Sequence, residues 1–484
     1  MVFSSSIFLF VFLPLTLLLY YITPRNITVK NVILLVFSLI FYAWGEPKYI
    51  ILMIVSIILN YLFGLCIHKR HLQGQKGVGI LVFSVLLNIG LLFYFKYFNL
   101  LADTAQLLLN LDWDIKQIAL PIGISFFTFQ GLSYVIDVYR EDVSSPETTV
   151  VQKSLLKLAL YISMFPQLIA GPIVRYTDIE TSLSVRPNTL SQFTSGVEVF
   201  IIGLAKKAIL ANLLGETADT IMQDNFMIIS CAQAWIGILC YTLQIYYDFC
   251  GYSEMAIGLG RMFGFEFKKN FDYPYISRSI TEFWRRWHIS LSQWFRDYLY
   301  IPLGGNRRGN VYVNLFIVFL ATGIWHGADW SFLFWGIWHG IFILIERIMK
   351  KRSIRIPVPK TLAPILGWFY TMLVVISGWI LFYTTSTIKT LEYVKLMFGL
   401  ERREFIGFDT SWYLNGRTLT VFVAAIVCCL PWKQILEKRI PKISGLWEHP
   451  AFVLTKRIVL LFFMFICFLL IVNSSYNPFI YFRF

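Results

Sequence analysis

The chain has 484 residues, of which 57% are hydrophobic and 14% are charged, with a formal net charge of +14. A soluble domain carries roughly 25% charged residues, so this composition excludes an ordinary soluble fold and indicates one polytopic transmembrane domain. The basic residues lie in short loops between apolar runs, as in loops on the cytoplasmic side of a membrane that contact anionic lipid. We therefore expect membrane lipid and no nucleic acid as a partner. The seven cysteines lack metal-ligand spacing, and we predict no metal site.

Apolar stretches that reach or approach the roughly 17–25 residues of a membrane span occur along the whole chain. In chain order they are 7–22, 32–44, 49–67, 78–95, 120–138, 156–173, 193–214, 232–249, 311–325, 332–348, 365–383, 419–430 and 453–472. The stretches 120–138 and 156–173 contain Pro and Gly residues, which predict broken or re-entrant helices. The fold prediction is an all-α polytopic membrane protein.

The charges of the loops predict the orientation of the chain. The basic loops 24–30, 68–77, 347–360 and 433–442 are expected on the cytoplasmic side, which places the N-terminus outside. The largest basic block, 261–308, is also rich in Trp and Tyr, which predicts an amphipathic interfacial helix. We divide the single domain 1–484 into N-terminal helices (1–270), a catalytic segment (271–340) and C-terminal helices with an aromatic tail (341–484).

Three of the six histidines lie in the catalytic segment, at His288, His326 and His339. His326 ends an apolar run, and ionisable residues at membrane depth are rare and usually functional. A neutral imidazole next to a hydroxyl can act as a general base, so His326 is a candidate catalytic residue. A helix-packing residue bonded to a backbone carbonyl is the alternative. For His339 we expect a structural role.

His288 lies in WRRWHISLSQWFRD, between Arg285, Arg286 and Arg296. A helix here would place Trp284 and His288 on one face. Guanidinium groups beside that face would bind a phosphate-bearing donor at the cytoplasmic side. Anchoring of the segment in the interface by Arg and Trp is the alternative.

Three further features carry polar chemistry. Asp248, in YTLQIYYDFCGYSE, is the strongest candidate for a carboxylate within the spans. The loop LGGNRRG (303–309) lacks the GK[ST] of a P-loop, so we expect a surface turn, with phosphate contact as the alternative. The tail NSSYNPFIYFRF is aromatic throughout, whereas a chain end is normally polar and frayed. It therefore suggests a docked segment that carries Tyr481, with an interfacial anchor as the alternative.

Several phrases resemble the membrane-bound O-acyltransferase (MBOAT) family, in its bacterial branch typified by the membrane subunit of alginate O-acetylation. They are FYAWGEPKY (41–49), LPIGISFFTFQGLSYVIDVYR (120–140), FPQLIAGPIVRY (165–176), DFCGYSEMAIGLGRMFGF (248–265), WRRWHISLSQWFRDYLYIPLGGNRRG (284–309) and ATGIWHGADWSFLFWGIWHG (321–340). The resemblance runs over nearly the whole chain, including the terminal YNPFIYFRF.

The resemblance implies a ring of about 11–13 transmembrane helices around a central funnel, with re-entrant and interfacial helices. The family's catalytic histidine maps to His326, and its second polar position maps to His288. Trp287 joins the three arginines as a donor-binding candidate. The candidates for the lining of the tunnel are Asp248, Trp325 and Asp329.

The resemblance also implies a reaction and its participants. Acetyl-CoA is the expected acyl donor, as a substrate and not as a bound cofactor. Acetyl would cross the bacterial cytoplasmic (inner) membrane to a partner with an SGNH-like hydrolase fold, which acetylates a cell-surface or exported polysaccharide. Because a related D-alanine system uses a tyrosine in a similar aromatic motif as acyl acceptor, Tyr481 is a candidate acyl relay.

Three other functions are compatible with the sequence. A D-alanyl transferase for teichoic acids belongs to the same family, but LYIPLGGNRRG and the phrase at 321–340 resemble the acetyl-transferring branch more closely. A transporter for a lipid-linked sugar would explain broken helices, yet it predicts coupling carboxylates and symmetric halves. A scaffold subunit would leave His326 dispensable.

Overall fold

The computed structural model describes residues 1–24, 26–110, 113–141, 150–223, 229–354, 357–400, 408–474 and 476–479. These residues form helices, turns and loops without any strand, which confirms the all-α prediction. The chain divides into two compact units. One comprises residues 1–200 and 255–268, and the other comprises residues 201–254 and 269–484.

The helices up to residue 222 begin with a π-helical segment, Phe8–Phe12, that continues into α1. They are α1 (Leu13–Ile22), α2 (Ile27–Gly45), α3 (Ile50–Leu72), α4 (Val78–Leu109), α5 (Ile124–Arg140), α6 (Leu155–Ser163), α7 (Phe165–Leu168), α8 (Tyr176–Ser184), α9 (Leu190–Ala205), the π-helical Lys206–Ala211 and α10 (Asn212–Met222). The helix predicted at 156–173 is broken after Ser163, as expected. At 120–138 the helix begins only at Ile124, after Gly123 with a left-handed φ of 78°, and it then continues through Gly131 to Arg140, so the break predicted within this stretch does not occur.

The first unit shows how polar side chains are accommodated between apolar helices. Asn60 on α3 and Asn88 on α4 exchange amide hydrogen bonds of 3.1 and 3.0 Å, and both side chains are buried. Reciprocal amide pairs of this kind hold transmembrane helices together where the surroundings offer no water.

The helices after residue 230 contain the predicted catalytic segment. They are α11 (Cys231–Met262), α12 (Ile280–Arg286), α13 (Ile289–Phe295), α14 (Val311–His326), α15 (Trp330–Lys351), α16 (Ala363–Thr384), α17 (Thr387–Met397), α18 (Thr410–Tyr413), α19 (Gly416–Cys428), α20 (Trp432–Arg439), α21 (Ser444–Glu448) and α22 (Pro450–Asn473). Short π-helical or 3-10 turns occur at Arg296–Tyr300, Pro274–Ile276 and Pro441–Ile443.

Helices α14 and α15 form a tight antiparallel hairpin. A Cβ atom on Gly323 would lie 2.5 Å from the carbonyl oxygen of Phe332, and one on Gly336 would lie 2.6 Å from that of Phe319. The two glycines therefore let the backbones approach to a distance that no other residue permits. This hairpin carries His326 at the end of α14 and His339 in the middle of α15.

The described helices identify a multi-pass membrane protein. Six of them, α2, α3, α4, α15, α16 and α22, are long and apolar enough to cross a membrane, and the bent pair α19–α20 makes a seventh candidate. Residues Phe8–Ile22 and Val311–His326 are shorter apolar helices. Every apolar stretch predicted from the sequence contains a helix, whereas the number of about 11–13 crossings and the ring around a funnel stay predictions.

The predicted amphipathic helix around His288 differs from the observed structure. Helix α12 ends at Arg286, and His288 has left-handed backbone angles (φ 44°, ψ 55°) before α13 begins. Trp284 and His288 therefore do not share a helix face. Most aromatic residues of this segment are buried, among them Trp284 and Trp287, so the segment packs inside the unit and is not a simple surface helix.

Candidate active site

Asn270 fixes the loop that holds His288. Its backbone carbonyl accepts a hydrogen bond of 2.9 Å from the amide of Ile289. Its side-chain Oδ1 accepts bonds from the Ser290 amide (3.1 Å) and the Ser290 hydroxyl (2.8 Å), and lies 3.2 Å from His288 Nδ1. These contacts hold the strained residue in place. The His288 ring is fully buried and lies edge-on to Phe249, with 4.6 Å between ring centroids.

The contacts of Asn270 also define the tautomer of His288. Because a backbone amide can only donate, the atom facing Ser290 is the amide oxygen of Asn270, so His288 Nδ1 carries the proton that it shares with this oxygen. In a neutral ring Nε2 is then an acceptor. Burial lowers the pKa of His288 to about 3, compared with an ordinary value of about 6.5, so the ring is neutral at physiological pH.

His326 is the last residue of α14 and is packed among aromatic rings. Its ring centroid lies 5.1 Å from that of Trp325, 4.9 Å from Trp335 and 5.4 Å from Phe382, and the side chain is buried. Trp325 in turn lies 6.0 Å from the ring of His288. The structure thus brings both predicted histidines into contact with one tryptophan.

A cluster of contacting aromatic rings extends from His326 to Trp284. Trp335 contacts His339 (5.0 Å between centroids) and Trp284 (5.5 Å), and Trp284 contacts His339 (5.1 Å). Within the described part of the chain, the indole nitrogens of Trp284 and Trp335 and both ring nitrogens of His339 are buried without a hydrogen-bond partner. These groups provide polar atoms within an otherwise apolar cluster, and His339 belongs to the cluster that links His326 to Trp284.

Trp284 forms part of the wall of a cavity of about 850 Å³, which has the size of a cofactor or nucleotide site. The basic residues of the wall are Arg278, Arg285, Arg296, Arg347 and Lys350. Its two acidic residues are already engaged: Glu346 accepts bonds from the first turn of α12, and Glu282 pairs with Arg286 at 3.0 Å. Arg296 pairs with Asp297 at 2.7 Å, which leaves Arg278, Arg285, Arg347 and Lys350 as the positive charges of a wall that also includes the buried indole of Trp284.

The loop LGGNRRG lines a second cavity of about 670 Å³ that shares Arg296, Tyr300 and Asn306 with the first. Gly304 and Gly305 have φ angles of 109° and 54°, which a side chain would strain. The loop exposes the side chains of Arg307 and Arg308. Of the two alternatives for this loop, a bare surface turn and a phosphate contact, the shared wall favours the second.

The other candidates from the sequence lie in several places. Arg286 is bound to Glu282 and Asp272, outside the cavity walls. Trp287 stacks on Phe283 at 5.5 Å and contacts Trp379 at 4.9 Å, away from both cavities. Asp329 caps α15 by accepting a bond of 2.8 Å from the Ser331 amide. Tyr481 lies outside the described residues.

A residue that the sequence analysis missed is Lys207. Its Nζ lies 2.6 Å from Oδ1 of Asp248, and both side chains are 1% exposed. The signal was present as two adjacent lysines inside the apolar stretch 193–214. Asp248 lies one residue before Phe249, whose ring contacts His288, so the ion pair is close to the site.

Comparison with known proteins identifies the class of enzyme. A model of MBOAT, the membrane-bound O-acyltransferase family, matches residues 39–386. The chain belongs to this family. Within it, the chain is 43% identical over 388 residues to a protein named "Probable alginate O-acetylase AlgI" from Azotobacter vinelandii, covering 79% of this chain and 75% of the relative.

Two further MBOAT relatives match along the whole chain. A protein named "Probable alginate O-acetylase AlgI" from Pseudomonas putida is 36% identical over 100% of both chains. The "Peptidoglycan O-acetyltransferase" of Helicobacter pylori is 34% identical over 100% of this chain and 98% of its own length. The protein is therefore a membrane O-acyltransferase.

Proposed function

We propose that this MBOAT protein transfers acetyl from cytoplasmic acetyl-CoA across the bacterial inner membrane for the O-acetylation of a cell-surface or exported polysaccharide. The observation that carries the proposal is the buried His326, joined through Trp335 and Trp284 to a basic cavity. Two of the relatives named above are alginate O-acetylases and one is a peptidoglycan O-acetyltransferase, which supports an acetyl group and a polysaccharide acceptor.

In this mechanism His326 is the general base for the attacking hydroxyl. The hydroxyl oxygen bonds to the thioester carbonyl carbon while its proton passes to His326, the C–S bond breaks, and CoA leaves as the thiol after taking up a proton. A positioned base is worth about 10²–10⁴-fold in rate. The aromatic surroundings of His326 exclude water, which limits hydrolysis of the thioester.

His288 serves the acceptor side of the reaction. A role as donor to the thioester carbonyl would need a proton on Nε2, whereas the contact with Asn270 assigns the proton to Nδ1. The Nε2 acceptor is suited to orienting the attacking hydroxyl. The sequence left both roles open, and this geometry favours the second.

The donor is proposed to lie with its nucleotide in the basic cavities and its thioester arm along Trp284. A nucleotide thioester carries several phosphate oxygens that match an excess of arginines. A carrier-protein thioester, as in D-alanyl transfer, brings a single phosphate and needs less of this charge. The cavity walls thus favour acetyl-CoA over the D-alanyl alternative.

The orientation and the participants complete the proposal. The basic end of the second unit, with Lys350 and Lys351 at the end of α15, faces the cytoplasm, and the N-terminus lies outside. Acetyl leaves on Tyr481 as an acyl relay and passes to an SGNH-like extracytoplasmic partner. The phenol is then the first attacking hydroxyl, and its acetyl ester is the activated product.

The test is acetyl transfer from labelled acetyl-CoA by the purified protein, comparing wild type with His326→Ala and Tyr481→Phe. Label on the wild-type chain that is absent from both variants supports the transferase and the relay. Label lost only in His326→Ala keeps the enzyme and refutes the relay. A wild-type protein that cleaves no acetyl-CoA, with or without partner, refutes the proposed function.

A further inference from the structure

Residues 476–479, which we call the tail segment, are held against the second unit by side chains from distant parts of the chain. The hydroxyl of Tyr476 donates to Oδ2 of Asp219 at 2.6 Å. The amide of Asn212 donates to Oδ1 of Asn477 at 3.4 Å. Phe479 is 2% exposed and stacks on Tyr252 with 4.4 Å between ring centroids. The tail segment is therefore docked by specific contacts.

The contact made by Lys207 is the most unusual of these. Its ammonium donates to the backbone carbonyl of Pro478 and pairs with Asp248 at 2.6 Å, and it lies in the π-helical turn Lys206–Ala211. A fully buried ion pair loses more in desolvation than it gains unless further hydrogen bonds satisfy it. The carbonyl of Pro478 is one such bond. π-Helical turns also occur frequently at functional positions.

Asp219 is fixed from two sides. Its Oδ2 accepts the bond from Tyr476 on the tail segment, and its Oδ1 accepts a bond of 3.0 Å from Tyr383 on α16. Lys207, Asn212 and Asp219 together form what we call the tail clamp. They lie on the π-helical turn and on α10, so one stretch of chain supplies the whole clamp.

The tail segment contacts the helix that packs against His288. Tyr252, which stacks on Phe479, lies one helical turn after Phe249 on α11, and Phe249 packs edge-on against His288 at 4.6 Å. Tyr481 is two peptide units beyond Phe479, a reach of about 7 Å at full extension. The last described residue and His288 thus contact the same turn of one helix.

We infer that Lys207 and Asp219 are positioning residues, which hold the tail segment so that the hydroxyl-bearing chain beyond it is presented to the transferase site. This inference rests on the proposed function and adds to it the positioning of the tail segment. Neither residue is catalytic. They determine whether the acyl group is captured by the chain's own tail, and they do not determine whether the donor binds.

A matched pair of variants tests the clamp. Tyr476→Phe and Tyr383→Phe each remove one hydrogen bond to the same carboxylate of Asp219, but only the first removes a contact of the tail segment. Purified variants receive labelled acetyl-CoA, and the label retained by the chain is measured beside the KM for acetyl-CoA. Because bonds to charged groups are the stronger ones, we expect Tyr476→Phe to lower labelling by about tenfold at unchanged KM, and Tyr383→Phe to resemble wild type.

A second variant separates positioning from folding. The double change Lys207→Met with Asp248→Asn removes both buried charges together, so no unpaired charge remains, while the bond to Pro478 is lost. We expect loss of labelling with a normal thermal midpoint, and faster removal of the tail by carboxypeptidase. Tail digestion that accelerates without any loss of labelling would overturn the inference.

The remaining outcomes are also decisive. Equal loss in Tyr476→Phe and Tyr383→Phe would show that Asp219 has a structural role only, and full labelling in Tyr476→Phe would refute the clamp. Either result leaves the transferase itself intact, because wild type still cleaves acetyl-CoA and His326→Ala does not. Absence of cleavage in wild type would instead refute the proposed function on which the clamp rests.

Discussion

Replacement of Arg307 and Arg308 by glutamine tests whether the donor's nucleotide occupies the loop LGGNRRG. Both side chains line the cavity of about 670 Å³, which shares part of its wall with the cavity of about 850 Å³. Neither has an ion-pair partner within the described ranges of the chain, so their charges are available to a ligand. Glutamine keeps most of the side-chain length and removes the charge.

The expected change in the KM for acetyl-CoA follows from the exposure of the two arginine side chains. A fully buried charge-assisted hydrogen bond contributes about 1.5–3 kcal/mol, but exposed ion pairs contribute about 0–1 kcal/mol because water and salt screen them. We therefore assign roughly 1 kcal/mol to each arginine, or about 30-fold in KM for the double variant. Since the loop is remote from His326, kcat should stay unchanged, as expected for loss of uniform binding.

The assay compares acetyl-CoA with acetyl-pantetheine, which has the same thioester and lacks the nucleotide and its phosphates. The double variant should raise the KM only for acetyl-CoA, and added salt should weaken acetyl-CoA binding in wild type more than in the variant. Arg352→Gln is the matched control, because Arg352 is exposed and lies outside both cavity walls. An equal change of KM for both donors, or no change, would refute nucleotide binding at this loop.

Two other predictions concern His288 and the glycine contact of the hairpin. Because the folded-state pKa of His288 is lowered to about 3, an unfolded chain takes up this proton first on acidification, so stability falls as the pH drops from about 6.5 toward 3. His288→Gln should flatten that decline of the thermal midpoint in detergent and lower the transfer rate without moving the pH–rate profile between pH 5 and 8. A shifted profile would contradict a neutral His288. Gly336→Ala should destabilise the protein and reduce transfer, since a Cβ would lie 2.6 Å from the carbonyl of Phe319, whereas Gly90→Ala, with no atom within 4 Å of its Cβ, should be neutral. Equal midpoints for the two glycine variants would refute the close contact of α14 and α15.

The sequence was sufficient to select His288 and His326 as candidate residues and to predict a polytopic membrane protein, because both predictions depend on local features. His326 was recognisable as a rare ionisable residue at the end of an apolar run, and each apolar stretch became a helix. The aromatic composition after residue 473 indicated a docked segment, and the described part of it is docked. These properties follow from composition and short-range spacing.

The features that the sequence did not predict depend on contacts between residues far apart in the chain. The helix break at His288 follows from hydrogen bonds to Asn270, eighteen positions away. Arg286 was expected at the donor and is instead bound to Asp272 and Glu282. The role of Lys207 is visible only from its contacts with Asp248 and Pro478, and no local sequence pattern predicts these contacts.

The tail clamp also has a consequence for the order in which the protein is made. Its contacts join positions 257 to 271 residues apart, whereas the hairpin with His326 forms between neighbouring helices. Contacts of short separation form first, and at about 5–20 residues per second the ribosome needs roughly ten seconds to pass from the hairpin to the tail segment. A nascent chain thus contains His288 and His326 before it contains the tail segment, so the contacts of the tail clamp form only when synthesis has reached residues 476–479.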